Sequence, residues 1–276
     1  MTDKAPGSPA FTFHDLLRIE HEGDRVEALY GQLFREEERL RSQAGQVEFV
    51  TTVRAIEQGL KPGDRMLDLG AGTGAYSLHF AAKGHPVCAV ELAGRNVAVM
   101  RGRIREGMDI DLRQGSALDL SPYADASFDI VLLFGPLYHL QDAQDRAQCL
   151  REAKRVLKPD GRLFAAFIHH DMIPYTESMF NPAWFSGGSY DHETFRLEDF
   201  PFVFFTLSEC RAMLEGAGFA IRRAIAADGL SELMADAINR MDADSYAQYL
   251  RWHLLRSEDP AFVGASNHLL FEAERA

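Results

Sequence analysis

Short apolar runs alternate with segments of helical spacing from residue 64 onward. Helical spacing occurs at Ala75–Lys83, Arg95–Glu106 and Asp142–Leu157, and Lys158–Gly161 reads as a turn. Strands that alternate with helices are typical of a parallel sheet whose crossover helices cover its faces. We therefore predict an α/β fold, whose first five strands lie at the apolar runs 65–70, 86–92, 110–115, 128–134 and 161–168.

Other segments lie outside this alternation. Residues 1–60 carry a helical pattern, which fits either an ordinary outer helix or a lid over a site. Residues 169–206 are rich in aromatic residues, Pro and Gly without a clear period, which predicts an inserted cap. A helix at 207–219, a strand at 220–226, helices up to about Arg256 and an apolar run at 268–273 follow. The predicted organisation is an N-terminal helical segment, 1–60, and a domain, 61–276, that contains the cap.

Composition narrows the class of protein. The chain has 276 residues and is 46% hydrophobic, enough for a large core without disulfides or structural metal. Its cysteines, Cys88, Cys149 and Cys210, are far apart and predict reduced thiols. No leader-like start and no apolar run of about 18 residues occur, so we expect a soluble, cytoplasmic protein away from membranes. A net charge of −12 argues against a nucleic-acid partner.

A glycine-rich turn follows the first predicted strand. Residues 68–74 read Asp-Leu-Gly-Ala-Gly-Thr-Gly and lead into a helix. Such a turn places backbone N–H groups and a helix N-terminus beside an open pocket. Gly70, Gly72 and Ala75 also fit the spacing of dinucleotide-binding turns. The glycines alone leave the cofactor undecided.

Acidic residues at the ends of three strands separate the cofactor classes. Asp68 would repel a pyrophosphate and suit the ammonium group of a methionine moiety. Glu91 closes the second strand, where a carboxylate accepts hydrogen bonds from ribose hydroxyls. Asp119 follows the third strand, within reach of an adenine amine. Together they favour an adenosine that carries a cationic amino-acid tail.

Six motifs resemble those of the class I S-adenosylmethionine-dependent methyltransferases. They are MLDLGAGTGAYS, AVEL, GSALDL, FDIVLLFGPLYHL, AKRVLKPDGRL and LSECRAMLEGAGF, within residues 46–225. The resemblance implies a Rossmann-like, seven-stranded, mostly parallel sheet with an antiparallel last strand, HLLFEA. It also implies S-adenosylmethionine as cofactor, bound by Asp68, Gly70, Ala71, Gly72, Glu91, Leu92, Ser116, Ala117, Leu118, Asp119 and Phe134.

The end of the fourth strand indicates the branch of the family. Amino-directed DNA and RNA enzymes carry an acidic or amide residue before Pro-Pro-aromatic there, whereas this chain reads Phe134 to His139 as FGPLYH. The resemblance is therefore closer to the small-molecule branch, with methyl transfer to an oxygen, nitrogen or carbon. Two alternatives stay open: a non-catalytic S-adenosylmethionine-binding regulatory protein and, less favoured, an NAD-dependent oxidoreductase. The acceptor and the choice between monomer and homodimer are not decided by the sequence.

Three residues are candidates for catalysis. His139 and Tyr138 lie where the family places the transferable methyl group, and a histidine is suited to act as general base. A structural role for His139 is the alternative. His170 follows the fifth strand beside His169, and at most one of these neighbours faces a pocket. No metal site is predicted.

The predicted cap and lid offer further pocket residues. Tyr30 and Arg41 are possible lid contacts. The aromatic side chains of the cap could line an acceptor cavity, form the cap's own core or form a dimer face. They are Phe180, Trp184, Phe185, Phe195, Phe200, Phe202, Phe204 and Phe205.

Overall fold

A seven-stranded sheet lies at the centre of the computed structural model, which describes residues 11–276. Its strand order is β3-β2-β1-β4-β5-β7-β6. β7 is antiparallel to both of its neighbours, and the pairs from β3 to β5 are parallel. The strands are β1 Met66–Leu69, β2 Val87–Glu91, β3 Ile110–Gln114, β4 Phe128–Leu133, β5 Leu157–Ile168, β6 Phe219–Ala226 and β7 His268–Arg275. The predicted α/β fold and its antiparallel last strand are confirmed.

Helices cover both faces of the sheet and continue beyond it. A π-helical turn at Leu29–Leu33 and a 3-10 turn at His170–Met172 complete the regular structure of the described chain. No helix within residues 11–276 has both the length and the apolar character of a membrane span. The α-helices are α1 Phe13–Leu16, α2 Glu22–Ala28, α3 Glu36–Arg39, α4 Gln43–Glu57, α5 Ala75–Ala82, α6 Gly94–Arg101, α7 Pro136–His139, α8 Ala143–Val156, α9 Ile173–Phe180, α10 Trp184–Gly187, α11 Leu207–Gly216, α12 Ala235–Ile238, α13 Ala243–Arg256 and α14 Pro260–Val263.

The central strands are apolar on both faces because each face packs against helices. Leu67 and Val131 point to one side, in a core with Leu150 of α8 and Leu214 of α11. Their neighbours Met66 and Ile130 point to the other side, where Ile56 of α4 and Phe80 of α5 pack. Alternating side chains of a strand lie on opposite faces, so continuous apolar runs are required here.

Two element boundaries differ from the prediction. β5 begins at Leu157, which pairs with Phe128, and the next pair joins Arg162 to Ile130. Residues 158–161, predicted to form a turn before the strand, therefore lie within β5 and shift its pairing register with β4. α6 ends at Arg101 instead of Glu106, because Gly102 follows and glycine is a poor helix former.

The two segments outside the alternation differ in how they pack. Of the N-terminal segment, residues 1–10 lie outside the described residues, and α4 packs in the sheet core. The 169–206 segment has a small core of its own, formed by Trp184, Tyr190 and Leu197. Phe205 belongs to the main core, whereas Phe185 and Phe195 are exposed. The predicted aromatic set therefore divides among several environments.

A buried ion pair joins the end of β6 to the start of β7. Asp228 Oδ2 lies 2.7 Å from His268 Nδ1, and Asp228 Oδ1 accepts hydrogen bonds from Ser266 Oγ and His268 N–H. Burial opposes the charge on His268, but the carboxylates of Asp228 and Glu48 outweigh it and raise its pKa to about 9. The pair fixes His268 at the start of β7, where it lies beside Ile168, the last residue of β5.

This ion pair predicts a pH-dependent stability. The pKa of His268 is about 9 in the folded chain and about 6.5 when unfolded, so its contribution is full below about pH 6.5 and is lost as the pH rises through 9. We expect His268→Gln to remove a decline in the free energy of unfolding on the order of 1–3 kcal/mol between pH 6.5 and 9.5, measured by urea denaturation. Substitution of exposed His14 by Gln is the control. An identical pH dependence in wild type and His268→Gln would contradict the assignment.

Candidate functional site

A cavity of about 800 Å³ opens at the carboxyl ends of the parallel strands. The chain leaves β1 toward β2 on one side, and β4 lies on the other side of β1. Ligands of open α/β sheets bind at such a reversal of strand order. The sheet side of the wall consists of Asp68, Gly70–Thr73, Val90–Leu92, Gly115–Leu118, Phe134–Pro136, Ala166 and Ile168.

The glycine turn has a conformation that only glycine adopts without strain. Gly70 has a φ of +76°, and a Cβ there would lie 2.8 Å from Pro136 Cδ and 3.0 Å from the Phe134 carbonyl oxygen. Gly74 has a φ of +85°, and its Cβ would lie 2.7 Å from Met100 Cγ. α5 begins at the next residue. The turn thus packs its backbone directly against the end of β4 and against Met100, where a side chain would clash.

Asp68 is a buried carboxylate on the cavity wall. It is 1% exposed, and its Oδ2 accepts a hydrogen bond from Ser77 Oγ at 2.6 Å. Its Oδ1 is buried and has no hydrogen-bond partner in the part of the chain that the structure describes. Burial raises the pKa of Asp68 to about 6. An unpartnered carboxylate oxygen in this position fits a ligand that brings a cationic hydrogen-bond donor.

Glu91 ties β2 to the glycine turn. Its Oε2 accepts the Gly72 N–H at 2.8 Å and its Oε1 accepts the Ala93 N–H at 2.8 Å. Burial raises the pKa of Glu91, against the effect of these N–H groups. Since a carboxylate has about four acceptor sites, Glu91 retains the capacity to accept further hydrogen bonds from a ligand.

The structure places all but one of the predicted cofactor residues on the wall. Asp119 is the exception and requires a correction: it is exposed, and its Oδ1 accepts the N–H of Ser121 at 3.0 Å. A short aspartate readily closes such a local turn with its own loop, which directs the carboxylate away from the cavity. The wall contains Asp68, Gly70, Ala71, Gly72, Glu91, Leu92, Ser116, Ala117, Leu118 and Phe134.

His139 and Tyr138 both line the cavity, at the end of the short helix α7. The Nε2 of His139 lies 2.9 Å from the hydroxyl of Tyr30, and its Nδ1 is buried. Burial lowers the pKa of His139 to about 4, so its ring is neutral at pH 7. Burial also raises the pKa of Tyr138. Both side chains are therefore uncharged around neutral pH.

His170 is not on the cavity wall, which corrects its predicted place in the acceptor pocket. Its Nδ1 donates to Asp171 Oδ1 at 2.8 Å, because its Nε2 accepts the N–H of Leu197 at 3.1 Å. Its neighbour His169 is 1% exposed, with Nδ1 3.0 Å from the Ser266 carbonyl oxygen. His169 therefore joins the start of the 169–206 segment to the residues before β7, whereas His170 joins two parts of that segment to each other.

Several wall residues escaped the sequence analysis. On the N-terminal side they include Arg39, which forms ion pairs with Glu36 at 3.0 Å and with Glu48. Tyr30 lines the wall as expected for a lid contact, whereas Arg41 does not. The missed residues also include Glu232, Asn267 and His268 at the other end of the cavity, and Ile173, Thr176 and Glu177 of the 169–206 segment. Three aromatic residues of that segment that the sequence offered as cavity residues, Phe180, Phe202 and Phe204, do line the wall. No local motif marks these positions, since each reaches the cavity through long-range packing.

Known proteins resemble this chain in sequence and in fold. Residues 67–165 match a family model described as a methyltransferase domain. A demethylmenaquinone methyltransferase of Paenarthrobacter aurescens is 34% identical over 122 residues, 44% of this chain and 45% of that protein. A 27-O-demethylrifamycin SV methyltransferase of Amycolatopsis mediterranei is 37% identical over 109 residues, 38% of each chain. The chain thus spans less than half the length of these curated relatives.

The fold is shared with a solved S-adenosylmethionine-dependent methyltransferase of Methanosarcina mazei. The two structures align with a TM-score of 0.52 and 20% identity, covering 80% of this chain and 96% of that one. The matched residues 67–165 contain the glycine turn, Glu91 and the end of β4. Residues 67–165 therefore match a methyltransferase domain, and the chain shares its fold with a solved S-adenosylmethionine-dependent methyltransferase.

Proposed function

We propose that this chain transfers a methyl group from S-adenosylmethionine to an oxygen, nitrogen or carbon atom of a small-molecule acceptor. The observation that carries the proposal is the buried Oδ1 of Asp68, which lacks a partner within residues 11–276 and lies on the cavity wall beside the glycine turn. The names of the curated relatives, a demethylmenaquinone and a demethylrifamycin methyltransferase, support a small organic acceptor.

Each part of the cofactor has a matching group on the wall. Asp68 would accept a hydrogen bond from the ammonium group. The backbone of the glycine turn, which carries no side chain at Gly70 and Gly72, would lie against the adjacent part of the cofactor. Glu91 would accept hydrogen bonds from the ribose hydroxyls. Leu92 and Leu118 would flank the adenine. S-adenosylmethionine, when bound, supplies a methyl group that is already activated as a sulfonium.

The protein's own contribution is positioning and exclusion of water. Tyr30, Phe34, Phe202 and Phe204 lie on the wall opposite the sheet, so the N-terminal helices and the 169–206 segment act as its cover. His139 holds the hydroxyl of Tyr30 at 2.9 Å. With a pKa of about 4, His139 is a weak base, so we assign it to positioning Tyr30 rather than to proton removal.

We also propose a cytoplasmic enzyme without a nucleic-acid partner. Cys88, Cys149 and Cys210 are buried and free, which fits a reducing compartment. The net charge of −12 disfavours binding to phosphates.

The function is tested first with ligands. We expect calorimetric titration to detect binding of S-adenosylmethionine and S-adenosylhomocysteine but no binding of NADH. We also expect transfer of a radiolabelled methyl group to some members of a panel of aromatic amines, phenols and quinols. No binding of either sulfur compound at millimolar concentration would contradict the proposal. Binding without transfer across the panel would favour a regulatory protein that senses S-adenosylmethionine.

Two isosteric substitutions test the cofactor site. We expect Asp68→Asn and Glu91→Gln each to weaken the binding of S-adenosylhomocysteine at least tenfold, about 1.4 kcal/mol, because each replaces a buried carboxylate on the cavity wall. Isothermal titration calorimetry measures the affinity. Asp119→Asn is the matched control and should bind like wild type, because the Asp119 side chain lies outside the cavity. Wild-type affinity in both site variants would place the cofactor elsewhere.

The protonation of His139 is directly measurable. We expect its ring to stay neutral from pH 8 down to pH 5, since burial lowers its pKa to about 4. The Cε1–H resonance in NMR spectra reports the charge, His139→Gln identifies the signal, and exposed His14 serves as the internal reference. A midpoint above pH 6 would contradict the positioning role and restore His139 as a candidate base.

A further inference from the structure

A second polar region of the cavity wall lies far from the glycine turn. It consists of Glu232, Asn267 and His268 at the junction of β6 and β7, which we call the corner subsite. His268 is next to Ile168 at the end of β5, and β7 lies three strands from β1. Three strand spacings amount to about 14 Å. The cofactor contacts proposed above therefore leave these residues unused.

Asn267 presents an unsatisfied hydrogen-bond acceptor in this subsite. The residue is 5% exposed, and its Nδ2 donates to Glu232 Oε2. This bond fixes the orientation of the amide, because the reverse orientation would bring two oxygens together. The Oδ1 of Asn267 is left buried without a partner among the described residues. A buried acceptor without a donor is costly, so a ligand that supplies a donor stabilises it.

Glu232 presents a second acceptor and an unbalanced charge. Ligand-type atoms of Asp228, Glu232 and His268 lie within 4.8 Å of one another, so two carboxylates share one imidazolium. Arg39 adds no surplus positive charge, since it is paired with Glu48 and Glu36. Burial raises the pKa of Glu232, as expected for a carboxylate short of compensating charge.

The chemistry of the missing ligand group follows from these two acceptors. An ammonium group carries three N–H donors, no acceptor and one positive charge. It satisfies Asn267 Oδ1 and Glu232 together and balances the charge. A carboxylate or phosphate would be repelled. A metal ion would have to displace the 2.7 Å hydrogen bond between Asp228 and His268, whereas an ammonium group leaves it intact.

We propose that the corner subsite binds the ammonium group of the methyl acceptor, which is therefore an amine. This rests on the proposed methyl-transfer function and names its substrate class. Phe180, Phe202 and Phe204 line the same cavity, so the body of the amine is apolar or aromatic. The ammonium group is the recognition element, whichever atom of the acceptor receives the methyl group.

Three matched probes test the substrate class: 2-phenylethylamine, 2-phenylethanol and 3-phenylpropionate. They are titrated calorimetrically at pH 7 into protein saturated with S-adenosylhomocysteine, in buffer with EDTA to remove metal ions. We expect the amine to bind at least tenfold more tightly than the other two. Equal binding, a preference for the carboxylate, or no amine binding at millimolar concentration would overturn the proposal.

Variants locate the effect in the subsite. We expect Glu232→Gln and Asn267→Leu to weaken amine binding at least tenfold and to leave S-adenosylhomocysteine affinity unchanged. Glu177→Gln, which removes another carboxylate from the cavity wall, is the matched control and should retain amine binding. Urea denaturation checks that each variant is folded. If Glu232→Gln is folded and binds the amine like wild type, the subsite is misassigned.

The two proposals fail separately. Wild-type protein that binds S-adenosylhomocysteine without preferring the amine contradicts only the corner subsite. Wild-type protein that does not bind S-adenosylhomocysteine contradicts the proposed function, and the same three probes titrated into the cofactor-free protein then decide whether the corner recognises amines.

Discussion

The close approach of the glycine turn to the end of β4 is the constraint on which the site depends. With no Cβ at Gly70, the turn packs against Pro136 and the Phe134 carbonyl group, and the chain reverses into α5. This reversal also presents the Gly72 N–H to Glu91, which joins β2 to β1 above the sheet. The floor of the cavity and the orientation of both carboxylates thus follow from one backbone conformation. A side chain at Gly70 would disturb all of them together.

The same arrangement has an electrostatic cost, because it buries two carboxylates near each other. Asp68 and Glu91 are both buried, and burial raises the pKa of each. Their charges repel each other, and Asp68 Oδ1 has no partner within the described chain. A cationic ligand relieves this cost on binding, so affinity and stability are coupled at this site. Such local destabilisation is expected where a protein keeps groups ready for a ligand instead of for its own fold.

The sequence predicted the elements whose signals are local. Alternating apolar runs located the central strands, because strands covered on both faces need continuous apolar sequence. Asp68, Gly70 and Glu91, which line the cavity, could be proposed from the sequence because each lies at a strand end or in the turn that follows a strand. Contacts between distant segments could not be predicted, because no local pattern links them. Tyr30 and His139 are 109 positions apart in the sequence, and Asp228 and His268 are 40 positions apart. Asp119 was misplaced because a local hydrogen bond to Ser121 competes with the expected reach into the cavity.

The cavity wall is divided between residues inside and outside the matched methyltransferase domain. The matched residues 67–165 supply most of the sheet side of the wall, where we propose that the cofactor binds. The opposite wall comes from Tyr30, Phe34 and Arg39 on the N-terminal side, from the 169–206 segment, and from the corner subsite. All of these lie outside the matched region. Since the acceptor must be recognised by the part of the wall that the cofactor does not cover, the substrates named for the relatives do not transfer with the match. We therefore expect the identity of the proposed acceptor to depend on side chains that the fold brings together from outside the matched domain.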